Sequence, residues 1–196
     1  GVATRSIFSK CSFERLVAKQ CVLGSAIFSE CRFRDVRTDF LKCYRAAFLR
    51  CKLEGLISGV NFGLLQEPHP TDAKYPKKIY DENMGLLQGV PYSLDTREAI
   101  LGDVGFIGEE LISKVLFRPG QCLIYRAKDL QRRMKTMFSS TTDRGLQSAL
   151  LPPTRPNQEL QLVALDRAGA SERVAEILNL CEEAGIEVLQ APLCSE

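Results

Sequence analysis

The chain of 196 residues has no tryptophan and one histidine, His69. A single histidine set between Pro68 and Pro70 brings no second group with it for acid–base or metal chemistry. No His-Glu-x-x-His, Cys-x-x-Cys, Gly-Lys-Ser/Thr or Gly-x-Ser-x-Gly run occurs. Zinc-peptidase, dithiol, phosphate-loop and nucleophile-elbow chemistries therefore have no sequence basis. No apolar run reaches the roughly 20 residues that span a bilayer, and no stretch reads as a secretory signal. Gly1 to Arg5 comes near a myristoylation start, but Arg5 stands where Ser or Thr is needed. Carboxylates are scattered among opposite charges. The expectation is a non-enzyme with no catalytic, cofactor or metal residue assigned.

What is present is 45% apolar and 26% charged, the composition of a folded globular chain. Net charge is +2 but uneven. Residues 1–60 hold 11 Lys/Arg against 5 Asp/Glu, and residues 61–196 hold 15 against 19. A basic first part admits an anionic partner, although charges of alternating sign suit a solvated surface better. Five of the eight cysteines (Cys11, Cys21, Cys31, Cys43 and Cys51) fall on a structural period that needs no disulfides. An intracellular reducing compartment is therefore expected.

That period is five. A small or apolar residue recurs at Ser6, Cys11, Leu16, Cys21, Ala26, Cys31, Val36, Leu41, Ala46, Cys51 and Leu56. A second series follows two residues later, at Phe8, Phe13, Ala18, Leu23, Phe28, Phe33, Thr38, Cys43, Phe48, Leu53 and Ser58. Period five matches neither helix nor simple strand and calls for a bend every five residues. Positions 20 apart also match: Phe8, Phe28 and Phe48 form one column, Cys11, Cys31 and Cys51 another. Outside, Lys10, Glu30 and Arg50 alternate in sign, as do Glu14, Arg34 and Glu54, while Arg15 meets Asp35 and Lys19 meets Asp39. Cysteine in an inward column reads as small core filler rather than a metal or redox site.

Over residues 6–60 the pattern resembles the pentapeptide-repeat family. The resemblance implies a β-solenoid, a right-handed quadrilateral β-helix with four pentapeptides per coil. A small α/β region with a C-terminal β-α-β unit is expected to follow. Three segments result: the repeat at 1–60, a Pro-containing connector at 61–94, and an α+β or α/β region at 95–196. Within the last, Asp95 to Glu98 reads as a helix start, Glu109 to Phe117 as a short helix and Gln121 to Arg126 as a strand. Asp129 to Phe138 reads as a basic amphipathic helix, and 160–165, 171–184 and 186–189 as strand, helix and strand with parallel strands.

A stack this short needs covered ends. The open N-terminal end, with Ile7, Phe8 and Phe13, calls for a capping protein partner, a preceding segment or a second copy. Together with Arg32, Arg37, Lys42 and Arg45 these residues make up the candidate partner surface. The functional expectation is a non-catalytic scaffold or accessory assembly subunit of a larger complex. Two alternatives stand beside it. The first is a nucleic-acid- or topoisomerase-binding module, since some members of the family act on DNA gyrase. The second is a bacterial effector with a Cys-dependent C-terminal enzyme, using Cys122, Cys181 or Cys194. The family resemblance implies a bacterial cytoplasm or a chloroplast as location.

Overall fold

The computed structural model describes residues 5–43, 45–63, 77–126, 160–164, 178–179, 181–183, 185 and 187–190. Short strands open the chain: β1 (Ser6–Ser9), β2 (Ser12–Glu14), β3 (Val17–Lys19) and β4 (Ala26–Ser29). Then come β5 (Arg32–Cys43), β6 (Ala46–Leu49) and β7 (Cys51–Gly63), followed by helix α1 (Lys77–Gln88). Next are β8 (Leu94–Leu101), β9 (Val104–Ile107), α2 (Glu109–Ile112), β10 (Val115–Leu116) and β11 (Cys122–Arg126). β12 (Leu160–Ala164) and β13 (Val188–Gln190) complete the described strands.

The bends explain this order. Lys10, Arg15, Gln20, Glu30, Asp35, Phe40 and Arg50 all have positive φ, between 45° and 66°. Gly55 and Gly59 continue the series at 63° and 75°. A left-handed residue at nearly every fifth position turns the strand without lengthening it. For a non-glycine residue each costs about 1–2 kcal/mol, so the pairing around it must outweigh that cost. The pairing is parallel and in register at a spacing of 20: Ser6, Ala26 and Ala46 align, as do Phe8, Phe28 and Phe48. Phe13 aligns with Phe33, and Phe33 with Leu53.

The strands gather into two parallel sheets, β1-β4-β6 and β10-β8-β7-β5-β2, with β3 also on β5 and β9 on β7. This corrects the expected fold class. β5 and β7 run unbroken for 12 and 13 residues, through their left-handed bends, so the described strands form long parallel sheets with few helices. They do not form a four-sided β-helix with equal five-residue sides. Between β5 and β7 the hydrogen-bond ladder passes the bends by shifting register, as between Arg34 and Val36, whereas β2 and β3 keep the spacing of 20 against β5 across the bend at Arg15. The parallel sheet also continues beyond residue 94, because β8 and β9 both pair with β7.

Asp95 to Glu98 lies within strand β8 rather than starting a helix. Asp95 accepts hydrogen bonds from the Arg97 amide and guanidinium, which uses up its capping capacity locally. Pairing with β7 then outweighs the helix-start signal. α2 is only four residues long, and the segment expected to continue it becomes β10. In the C-terminal β-α-β unit the two expected strands run parallel to one another, but a third strand lies between them. β12 and β13 do not pair with each other but flank β11, each antiparallel to it. Residues 178–179 and 181–183 are helical, and Gly185 closes that turn at φ 63° with its N–H donating to the Glu182 carbonyl. His69 and the expected basic helix at 129–138 lie outside the described residues.

The core runs the length of the stack as an aromatic column. Phe8, Phe28 and Phe48 lie face to face at 4.9 and 5.1 Å. Phe62 meets Phe48 edge-on, stacks on Phe106 at 5.4 Å, and Phe106 meets Phe117 edge-on. Each such contact contributes about 0.5–1.5 kcal/mol beyond the area it buries. α1 turns Ile79, Asn83 and Leu87, spaced by four, into one buried face and lies against β6. At the downstream end, buried Gln121 donates to the Thr96 and Ala99 carbonyls and accepts from the Thr96 hydroxyl and the Arg118 amide. All its hydrogen-bonding groups are engaged, and it locks β8 to the turn before β11. No described helix is long and apolar enough to cross a membrane.

Gly59 tests the bend geometry. It takes φ 75°, and a Cβ there would collide with the Thr38 carbonyl. Gly59→Ala is expected to destabilise the protein by about 2–4 kcal/mol, from left-handed strain plus backbone displacement. Chemical denaturation measures the loss. An unchanged midpoint would show that the bend is not held as described.

Candidate docking edge

The two ends of the stack differ. Downstream, Ile57, Leu94, Leu101, Ile112 and Val115 are fully buried. Upstream, β1, β2 and β3 each pair on one side only among the described residues. Their inward residues Phe8, Phe13, Leu16 and Leu23 are only partly buried. Among the described residues nothing covers them, and the stack opens there as a hollow of about 480 Å³. Its mouth is formed by Phe8, Phe13, Leu16, Val17, Cys21 and Leu23. Val17 and Val22, near the rim, are 74% and 65% exposed.

The backbone at this end has a definite polarity. The Arg32, Arg37 and Lys42 amides donate upstream to the Cys11, Leu16 and Cys21 carbonyls. Lys10, Arg15 and Gln20 amides donate downstream to the Ser29, Arg34 and Asp39 carbonyls. The 20-residue equivalence then aims the Ser12, Val17 and Val22 amides at the open edge. It aims the Ser9, Glu14 and Lys19 carbonyls there too. An unpaired row of this kind is a template for another strand.

The edge is also basic. Lys10 is exposed and lies 3.9 Å from Glu30. Arg15 and Lys19 are exposed and carry no ion pair among the described residues. No salt bridge joins Arg15 to Asp35, which accepts instead from the Leu56 amide at 3.1 Å. Lys19 aligns with Asp39 in register, but no salt bridge joins them. Glu14 is the one carboxylate among the first-layer residues 5–24.

The residues singled out from sequence divide. Phe8 and Phe13 sit together at the mouth, 5.8 Å apart edge to face. Ile7 is 69% exposed on the outer side of β1, in register with Ile27 and Ala47. Arg5, just before β1, pairs with Glu82 and Asn83 of α1. Arg32, Arg37 and Lys42 lie on three successive stretches of β5 separated by the bends at Asp35 and Phe40, so they do not form one patch. Arg32 is drawn to Glu54, Lys42 sits 4.5 Å over the Phe40 ring, and Arg45 lies half-buried before β6. Val17 and Cys21 were missed from sequence. The five-residue period marks Cys21 as core, whereas the structure leaves it exposed at the mouth of the hollow.

Among the thiols, Cys122 and Cys181 are buried, and Cys194 lies outside the described residues. Burial pushes the Cys181 thiol up, away from the thiolate a nucleophile requires. Cys51 donates to the Phe28 carbonyl at 3.3 Å within its column. On the outer face, Glu54 is almost fully covered and gathers Arg34 at 2.7 Å, Arg32 at 3.2 Å and Lys52 at 3.5 Å. Burial opposes its ionisation, but Arg34, Arg32 and Lys52 together hold it below the ordinary carboxylate range. Asp95 is likewise held low against its burial, by Arg97. No family model, curated protein or solved structure matches the chain.

Two pH dependences follow from these groups. A lowered carboxylate pKa in the folded state stabilises fully above the ordinary values of 4.5 for Glu54 and 3.8 for Asp95. That stability is lost as pH falls through the lower folded values. Urea midpoints should therefore drop on acidification below these values, and less so in Glu54→Gln. Burial raises Cys43 and Cys51 from 9.0 to about 12. The unfolded thiols ionise first, so stability is complete below pH 9 and falls towards 12. Well inside that window the two together remove about 2.7 kcal/mol per pH unit. Cys43→Ala should flatten the alkaline limb of the urea midpoint profile, and an unaltered limb would contradict the assignment.

Proposed function

We propose that the chain is a non-catalytic protein-binding module, a scaffold or accessory subunit that docks a partner on its upstream edge. The observation that carries this reading is the contrast between the ends. One end of the core is sealed by β8, β9 and β10, while the other presents a 480 Å³ apolar hollow ringed by half-paired strands. Exposed apolar surface framed by polar groups marks an interaction site. Here it coincides with a row of unused backbone donors and acceptors. The likeness of residues 6–60 to pentapeptide repeats supports an assembly role. Buried thiols and dispersed cations give the enzymatic and nucleic-acid readings less support.

Quantitative co-purification from source-cell extract tests the reading. Val17→Asp, at the rim, should reduce recovery of bound proteins at least about tenfold, as loss of a central contact does. Ile100→Asp, exposed on β8 away from the edge, should leave recovery unchanged. Equal recovery with both variants would sink the proposal.

A further inference from the structure

We infer that the occupant of the upstream edge is an acidic, extended segment of a different protein, added as a strand beside β2 and β3 with an apolar side chain in the hollow. This rests on the docking role proposed above and specifies the partner's chemistry. Three observations carry it.

The first is the backbone. The Ser12 and Val17 amides and the Glu14 and Lys19 carbonyls face the open edge, as their equivalents 20 residues on show. Only a peptide chain satisfies donors and acceptors in that alternation. A fatty acid or other small apolar ligand would fill the hollow and leave them unpaired.

The second is charge. Inside the stack two outer columns alternate in sign, Lys10, Glu30 and Arg50 at 3.9 and 2.6 Å and Arg34 with Glu54 at 2.7 Å, while Arg32 and Lys52, like charges in register, share Glu54. Carried one layer upstream, Lys10, Arg15 and Lys19 ask for three acids, and Glu14 for one base. The expected strand is therefore acidic overall.

The third excludes a second copy of this chain. Head-to-head docking would bring together two edges that each carry Lys10, Arg15 and Lys19 against the one acid Glu14, and like charges brought together across a strand pair are destabilising. Head-to-tail docking would need an exposed apolar face downstream to enter the hollow, and Ile57, Leu94, Leu101, Ile112 and Val115 are all buried there.

The test uses the purified full chain and a fluorescent peptide of about ten residues, alternating Glu and Val with one central Phe. Its twin carries Lys for Glu, and a third version is N-methylated at every second amide. The acidic peptide should bind at least about tenfold tighter than the Lys twin at low salt, with the preference shrinking as salt rises. N-methylation should cost about tenfold or more, as lost strand hydrogen bonds do. Bound peptide should slow alkylation of Cys21, the exposed thiol at the mouth, in a Cys194→Ser background.

The triple variant Lys10→Glu, Arg15→Glu, Lys19→Glu should reverse the charge preference. Since Lys10 and Glu30 form an ion pair, its thermal unfolding is checked, and Arg15→Glu, Lys19→Glu serves if it is unstable. Equal affinity for the two charged peptides, indifference to N-methylation, displacement by dodecanoate, or a dimer by light scattering with Cys21 closed would each overturn the inference. If no peptide binds while Val17→Asp still loses its partners, the docking role stands and the acidic strand falls. If Val17→Asp also has no effect, the docking role falls with it.

Discussion

The rest of the structure depends on the parallel hydrogen-bond ladder between residues 20 apart. It fixes Phe8 on Phe28 on Phe48 and, on the outside, Lys10 beside Glu30 beside Arg50. It also holds seven non-glycine residues in left-handed backbone. None of those bends would persist alone, since each is costly and returns no local hydrogen bond of its own. They persist because an amide beside each bend is bonded to the next layer, as the Lys10, Arg15 and Gln20 amides are. Bend and ladder are thus mutually required. Glycine appears where this fails: at Gly55 and Gly59 a side chain would strike Asp35 or the Thr38 backbone.

Register of this kind is legible in sequence because identical geometry every 20 residues imposes similar volumes and opposite charges at fixed spacing. The aromatic columns and the Lys10–Glu30–Arg50 ladder could be read for that reason. What the period does not encode is how the ladder behaves at a bend. Whether strands break into separate faces or run through, as β5 and β7 do, depends on register shifts of one or two residues. The period also ends before the stack does. β8 pairs with β7 through Leu94 and Ala99, yet Asp95-Thr96-Arg97-Glu98 has the local chemistry of a helix cap. Long-range pairing decided that segment, and no local signal records it. Nor could the placing of β11 between β12 and β13 be seen, since a strand's neighbours are set by the whole sheet.

The candidate site was half legible for a related reason. Phe8 and Phe13 follow from the period, because a repeating inward position must be unfilled on one side in the first layer. The basic residues Arg32, Arg37 and Lys42 looked clustered only because they are close in sequence. The bends at Asp35 and Phe40 put them on different stretches. Arg34 shows the same effect in reverse: 20 residues from Glu54, it forms with it one of the closest ion pairs in the molecule.

A repeating stack defines its own complement. Each inner layer receives from the layer before it a set of carbonyls and amides, an aromatic face and, as at Glu30, charges of opposite sign. β1, β2 and β3 offer all three upstream and, among the described residues, receive none of them. The downstream end meets the same demand by a different route, with the Gln121 side chain bonding the Thr96 and Ala99 carbonyls and Phe106 and Phe117 closing the aromatic column. The molecule therefore contains a worked case of what sealing an end requires: backbone partners and an apolar plug together. An occupant that supplied only the plug would leave the Ser12 and Val17 amides desolvated, at about 1–3 kcal/mol for each buried unpaired group. One that supplied only backbone partners would leave the hollow empty and lose its contacts. The geometry favours a strand carrying a large apolar residue, and the exposed cations Arg15 and Lys19, with Lys10 beside them, select an acidic one.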